Sequence, residues 1–157
     1  MSVDNLVTHV NAITKWEGRV SGTPGHREAG EYILQQLSLT SLIPHTGHSF
    51  EISYELNGQI FTNIAGIVEG QNRELHPILV GAHYDTIYGT PGADDNAAAV
   101  SVLLEIANDM KPRDSNRTVI FCFFDAEEPP YFLQASMGST RYYEDQRNTE
   151  IHCALIM

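Results

Sequence analysis

The sequence predicts a three-layer α/β/α domain built on a mixed, mostly parallel sheet. Three observations carry that expectation. From residue 77 onward, short apolar runs alternate with helical patterns, as in β–α–β units. Upstream, an Asn57-Gly58 pair joins two strand-like runs, so the sheet opens with an antiparallel hairpin. A length of 157 residues suits one domain with a real core, so residues 1–157 are read as a single unit.

Each element follows in order. Leu6, Val10, Ile13 and Trp16 recur at helical spacing and predict an opening helix. Ala29, Tyr32, Ile33 and Leu37 share one face of a second helix over 28–37. Residues 50–56 and 60–68 read as the two hairpin strands. Pro77 opens a buried strand over 77–83 that runs through Ile78, Leu79 and Val80. Val100, Leu103, Leu104 and Ala107 mark the buried face of a helix within 95–110. The run 118–124 is apolar on both faces, which makes it a central strand. A helix near 138–147 and a last strand over 151–157 complete the chain.

Composition removes several function classes. A formal net charge of −11 argues against a nucleic-acid partner. No apolar run approaches membrane-spanning length, so no membrane partner is expected. The first ten residues lack an apolar core and carry Asp4, so no signal peptide is read and a cytoplasmic location is expected. Cys122 and Cys153 both fall in apolar strands and read as reduced core residues. His9, His26, His45, His48 and His76 are scattered and read as surface or loop histidines.

Chemistry concentrates in three short runs at element ends. The first is Gly-Ala-His-Tyr-Asp (81–85), just past a strand. His83 and Asp85 are two residues apart, so in extended chain they share a side. Asp85 is then placed to accept the spare ring N–H of His83 and aim the other nitrogen at a metal. Taken alone, the pair also reads as a strand-end His beside a turn Asp. The second run, Pro-Gly-Ala-Asp-Asp-Asn (91–96), opens a helix. A helix cap accounts for one acid there, but not for Asp94, Asp95 and Asn96 together. The third, Phe-Asp-Ala-Glu-Glu (124–128), ends the central strand. Adjacent carboxylates diverge, so one of Glu127 and Glu128 can hold a cation while the other takes a proton from water. Pro129-Pro130 works against the bland reading of a solvated acidic helix start. Imidazole and carboxylates converging on one sheet rim is the chemistry of a hydrolytic metal site.

His-Tyr-Asp (83–85), Pro-Gly-Ala-Asp-Asp-Asn (91–96) and Phe-Phe-Asp-Ala-Glu-Glu (123–128) occur in the order and rough spacing of one family. Together they resemble the co-catalytic zinc exopeptidases, the bacterial leucyl aminopeptidase-like peptidases of family M28. Arg19-Val-Ser-Gly-Thr-Pro-Gly25, Thr62-Asn63-Ile64-Ala65 and Gly138-Ser139 resemble that family's lead-in, early strand and next helix start. The resemblance implies the following roles. His83, Asp94 and Glu128 are metal ligands, with Asp94 bridging two zinc ions. Asp85 supports His83, Asp95 forms a strained peptide after the bridging acid, and Glu127 is the general base. Manganese or cobalt suits the same donors.

The resemblance also implies two further ligands: an acid just after the strand over 151–157, and a later His. The 157 residues end before the first of these. The expectation is an N-terminal part of the domain, truncated at the C-terminus and inactive alone, acting on peptides once complete. A second copy or a complementing chain is expected to join it through residues 151–157. Ala97-Ala98-Ala99 and Pro129-Pro130 depart from the family's usual Gly-containing pattern. Two other classes stay open: a glutaminyl cyclase-like aminoacyltransferase using one zinc ion, and a non-catalytic fragment or binding module.

Overall fold

Side-chain caps set where the helices begin. In the computed structural model, which describes residues 2–157, Ser2 accepts from Asn5 N at 3.1 Å and starts helix α1, Val3–Ile13. Thr23 likewise accepts from His26 N at 3.3 Å and starts α2, Pro24–Ser38. Pro24 occupies the first turn, where its missing N–H has no intrahelical partner to lose. The cap and the proline start α2 earlier than its apolar face alone indicates.

The sheet grows from the hairpin. Strands β2 (Glu51–Leu56) and β3 (Gln59–Val68) pair antiparallel across Asn57-Gly58, whose φ values are 54° and 78°. Both residues are left-handed, as the expected tight turn requires. A short strand β1, Ile43–Pro44, which the sequence pattern does not announce, adds to the same side of β3. Strand β5 (Val119–Phe124) pairs antiparallel with β3 and parallel with β4 (Ile78–His83); β6 (Cys153–Ile156) pairs parallel with β4. The strand order is β1-β3-β5-β4-β6, with β2 also on β3. Parallel pairing is confined to the half of the sheet that carries the acidic runs.

Helices cover both faces, giving the expected three layers. Alternation along β5 makes the point. Val119, Phe121 and Phe123 face the cluster shared with α1, α2 and α3 (Ala98–Asp109), where Ile13, Ile33, Leu37, Leu103 and Leu104 pack. Ile120, Cys122 and Phe124 face the other side, with Tyr142 of α4 (Gly138–Gln146). Every residue of β5 is buried, as a central strand should be. Each fully buried phenylalanine there contributes roughly 1.5–3 kcal/mol of hydrophobic stabilisation. Strand β6 lies at the sheet edge and is exposed along its length.

Three expectations are corrected. His9 and His26 are buried rather than superficial. Each is accommodated because a carboxylate and a second polar group satisfy its ring: Glu105 and Tyr32 for His9, Asp125 and the Gly22 amide for His26. Cys153 is exposed, because its strand is an edge; Cys122 is in the core, and both thiols are free.

Candidate metal centre

Parallel pairing of β4 and β5 brings two of the acidic runs to one rim. His83 is in register with Phe124, and Tyr84 N donates to Phe124 O at 3.0 Å, so both strands end together. The carboxyl ends of parallel strands are where α/β sheets bind ligands. Beyond β4 the chain makes a wide turn at Ala93–Ala97 before α3. Gly92 starts that turn with φ 58° and ψ 48°, and a Cβ there would run into Thr86 and the Asp95 carbonyl. Asp95 and Asn96 have non-helical backbone angles, and the peptide between them is cis.

This path brings His83, Asp95 and Glu128 together, each offering one ligand atom, all within 4.8 Å of one another. His83 Nε2 lies 3.0 Å from Asp95 Oδ1 and 3.9 Å from Glu128 Oε1. Asp94 is not in this group, although the sequence places the ligand at Asp94 and a structural role at Asp95. The cis peptide likewise follows Asp95, one residue later than that reading. The geometry thus brings Asp95, rather than Asp94, to His83. Adjacent acids diverge, and the non-helical angles at Asp95 decide which one faces His83. Asp94 instead lines a small cleft of about 270 Å³ with Asp95, Glu128 and Ile87.

Asp85 stands on the expected side of His83, facing Nδ1, but carries a second task as well. It lies 3.4 Å from His83 Nδ1 without hydrogen-bond alignment, and Nδ1 has no hydrogen-bond partner. The buried Asp85 carboxylate accepts instead from Glu127 N at 3.1 Å and Glu128 N at 2.9 Å. Ala126, left-handed at φ 58°, sits in the turn from which these successive amides reach one carboxylate. Asp85 therefore holds the Glu127-Glu128 segment against the end of β4.

Glu127 stands beside the group. Ser139 holds both of its oxygens, the amide donating to Oε1 at 2.6 Å and the hydroxyl to Oε2 at 3.0 Å. Burial raises the Glu127 carboxyl above its ordinary pKa, and the Ser139 bonds only partly oppose this. Glu128 is raised as well, by burial and then by the Asp95 charge. Burial pulls the His83 imidazole down, but Asp85, Asp95 and Glu128 outweigh it and the net shift is upward. These shifts describe acids crowded around one imidazole without enough positive charge among them.

The donor set fits a divalent cation. One imidazole and two carboxylates suit zinc, and also manganese or cobalt. A buried imidazole atom left without a partner is a further sign of an incomplete polar network.

Several contributors escaped the sequence reading. Arg19, buried among these loops, carried no assigned role, nor did Ser139 or the pair His26–Asp125. Ser139 had a legible signal. It sits at the start of a helix, where free backbone amides suit a carboxylate. Arg19 had only its place in a run of small residues.

The fold and the site together define a metallohydrolase-type α/β domain. The chain belongs to peptidase family M28, whose family model matches residues 63–157. Its sequence is 32% identical over 127 residues to aminopeptidase YwaD of Bacillus subtilis, covering 80% of this chain and 24% of that protein. It is 30% identical over 149 residues to human endoplasmic reticulum metallopeptidase 1, covering 83% of this chain and 16% of that protein. The chain therefore spans about a quarter or less of these relatives. Among solved structures, Porphyromonas gingivalis glutaminyl cyclase superposes with a TM-score of 0.75 at 24% identity, covering 99% of this chain and 58% of that one. LapB of Legionella pneumophila gives 0.72 at 23% identity, with 98% and 42% covered. These two likenesses establish the shared fold.

Proposed function

We propose that this chain carries the metal-binding half-site of a zinc-dependent aminopeptidase, which hydrolyses N-terminal peptide bonds. The observation that supports it most is the meeting of His83 Nε2, Asp95 and Glu128, with Glu127 held beside them by Ser139. Aminopeptidase YwaD is a relative with that named activity. His83, Asp95 and Glu128 are the donors this chain would offer a zinc ion, and the rest of the ligand set would come from outside these residues.

Each residue then has a task. A bound dication supplies Lewis acidity toward a peptide carbonyl and acidifies water. Glu127 accepts the proton of the attacking water, and burial, by raising its pKa, favours that acceptance. Ser139 fixes the direction of the Glu127 carboxylate. Asp85 orients the backbone of both glutamates and adds negative charge near His83 Nδ1. The glutaminyl cyclase reading is kept as second, because Porphyromonas gingivalis glutaminyl cyclase shares the fold across 99% of this chain.

Zinc calorimetry on the chain, together with hydrolysis of leucine p-nitroanilide at saturating zinc, tests the reading. Glu127→Gln keeps shape and removes the base. It is expected to leave zinc binding in place and, in the chain extended to include the remaining ligands, to lower turnover by about 10²–10⁴-fold. Unchanged turnover in Glu127→Gln removes that residue from the mechanism. Failure of the chain to bind zinc removes the metal reading.

A further inference from the structure

We propose that Arg19 is a positioning residue for the metal centre, its guanidinium tying the loop that carries His83 to the loop that carries Asp95. The inference rests on the metal reading above.

Arg19 has no exposed surface. A buried guanidinium ordinarily sits against a carboxylate. This one does not; each of its three nitrogens donates to a backbone carbonyl. Nε donates to Tyr84 O at 2.8 Å, Nη1 to Pro91 O, and Nη2 to Gly92 O at 3.2 Å. Its own amide donates to Thr86 Oγ1 at 2.6 Å, and its carbonyl accepts from Thr86 N at 3.3 Å.

The placement of those acceptors carries the argument. Tyr84 lies between His83 and Asp85. Pro91 and Gly92 lead into the turn that presents Asp95. One planar fork therefore fixes the spacing of two loops whose side chains must converge on one ion. Preorganised donors avoid the ordering cost of binding, which is how supporting residues act on a metal site. Burial lowers the Arg19 pKa to about 10, against the opposing pull of Asp85 and Asp95, so the group remains a cation at neutral pH.

Charge and geometry act in opposite directions here. A fixed cation near the site repels a metal ion, so its charge alone weakens binding. The fork strengthens binding by holding the donors. Lysine keeps the charge but cannot reach separated carbonyls with a rigid planar fork. Methionine removes both charge and fork at similar length.

The test compares the full chain with Arg19→Lys and Arg19→Met. Zinc affinity is read by calorimetry, and coordination geometry by the visible spectrum of the cobalt-loaded chain. Both variants are expected to bind zinc about 10–100-fold more weakly, with an altered cobalt spectrum and no rescue by lysine. Parent-like affinity in folded Arg19→Lys overturns the proposal, and so does tighter binding by folded Arg19→Met. A parent chain that binds no zinc fails the metal reading instead, and this inference with it. Should both variants lose their circular dichroism signal, nitrogen-15 spectra of the parent decide. A slowly exchanging Arg19 Nε–H that shifts on zinc addition is expected; a freely rotating, fast-exchanging guanidinium that ignores zinc overturns the proposal.

Discussion

Two histidine–carboxylate clusters lie at the same rim, and they differ in what is left over. In the first, every donor meets an acceptor. His26 Nε2 donates to Asp125 at 2.8 Å while Nδ1 accepts from the Gly22 amide at 3.3 Å, which fixes the tautomer. Asp125 also accepts from Ser21 Oγ at 2.6 Å and Thr62 N at 2.8 Å. The His26 ring stacks on Tyr84, with centroids 4.7 Å apart. In the second cluster, His83 Nδ1 has no hydrogen-bond partner, Asp95 is exposed, and Asp95 and Glu128 crowd each other. Both sets use the same residue types. The satisfied cluster closes on itself and holds the fold; the unsatisfied one keeps capacity for a cation. Donor bookkeeping, rather than residue identity, separates structure from site.

The sharpest way to break that distinction is Asp125→Ala. It leaves Ser21 and His26 as buried donors, and the half-buried Thr62 amide, without their acceptor. Removing one partner of a buried, hydrogen-bonded pair costs about 3–5 kcal/mol, so the variant should unfold at clearly lower urea. The matching change in the other cluster is His83→Ala. The one hydrogen bond lost, His83 Nε2 to Asp95 Oδ1 at 3.0 Å, is solvent-exposed, so stability should move by no more than about 1 kcal/mol. If His83→Ala destabilises the chain as much as Asp125→Ala in urea titrations, the two clusters are not different in kind.

A second effect sharpens the comparison from the side of the ligand. An ion that binds the folded chain stabilises it, by about 2.7 kcal/mol when present at a hundredfold excess over its Kd. For a chain of this size that corresponds to a melting shift of roughly 5–10 °C. Zinc should produce the shift in the parent and lose it in His83→Ala. A full zinc shift in His83→Ala places the ion elsewhere.

How much of this was legible beforehand follows from which interactions are local. Alternation, helical spacing and the Asn57-Gly58 turn are local, and they placed β2 to β5 and α1 to α4 to within a few residues. The three acidic runs were legible because strand ends and helix starts are marked by neighbours in sequence. Which of Asp94 and Asp95 faces His83 was not, since a one-residue choice depends on backbone angles set by Gly92 and the contacts of Arg19. The burial of His9 and His26 was equally hidden. Their partners, Glu105 and Asp125, lie far away in sequence, and no local pattern announces them. Cys153 was misread because an apolar strand looks the same at an edge as at the centre.

The smallest expected effect concerns a third histidine–carboxylate set, remote from the rim. His9 Nδ1 meets Tyr32 Oη at 2.8 Å, and Glu105 accepts from Asn5 Nδ2 at 3.1 Å and Ser2 N at 3.1 Å. Burial raises the Glu105 carboxyl, but the Ser2 and Asn5 bonds outweigh it and the net shift is downward. A carboxylate depressed in the folded state contributes stability above its unfolded pKa, about 4.3 for glutamate. That contribution is lost as pH falls below this value and through the lower folded pKa. The anchor of α1 on α3 should therefore loosen between about pH 4.3 and lower values, by about 1 kcal/mol, since solvent near Asn5 screens the charge. Hydrogen exchange of the α1 amides, measured at pH 6 and again below pH 4, reads this directly. Glu105→Gln should remove the pH dependence while keeping the shape. Protection of α1 that is equal at both pH values in the parent would show that the Glu105 charge does not hold the helix. The set would then resemble the His26 cluster only in composition.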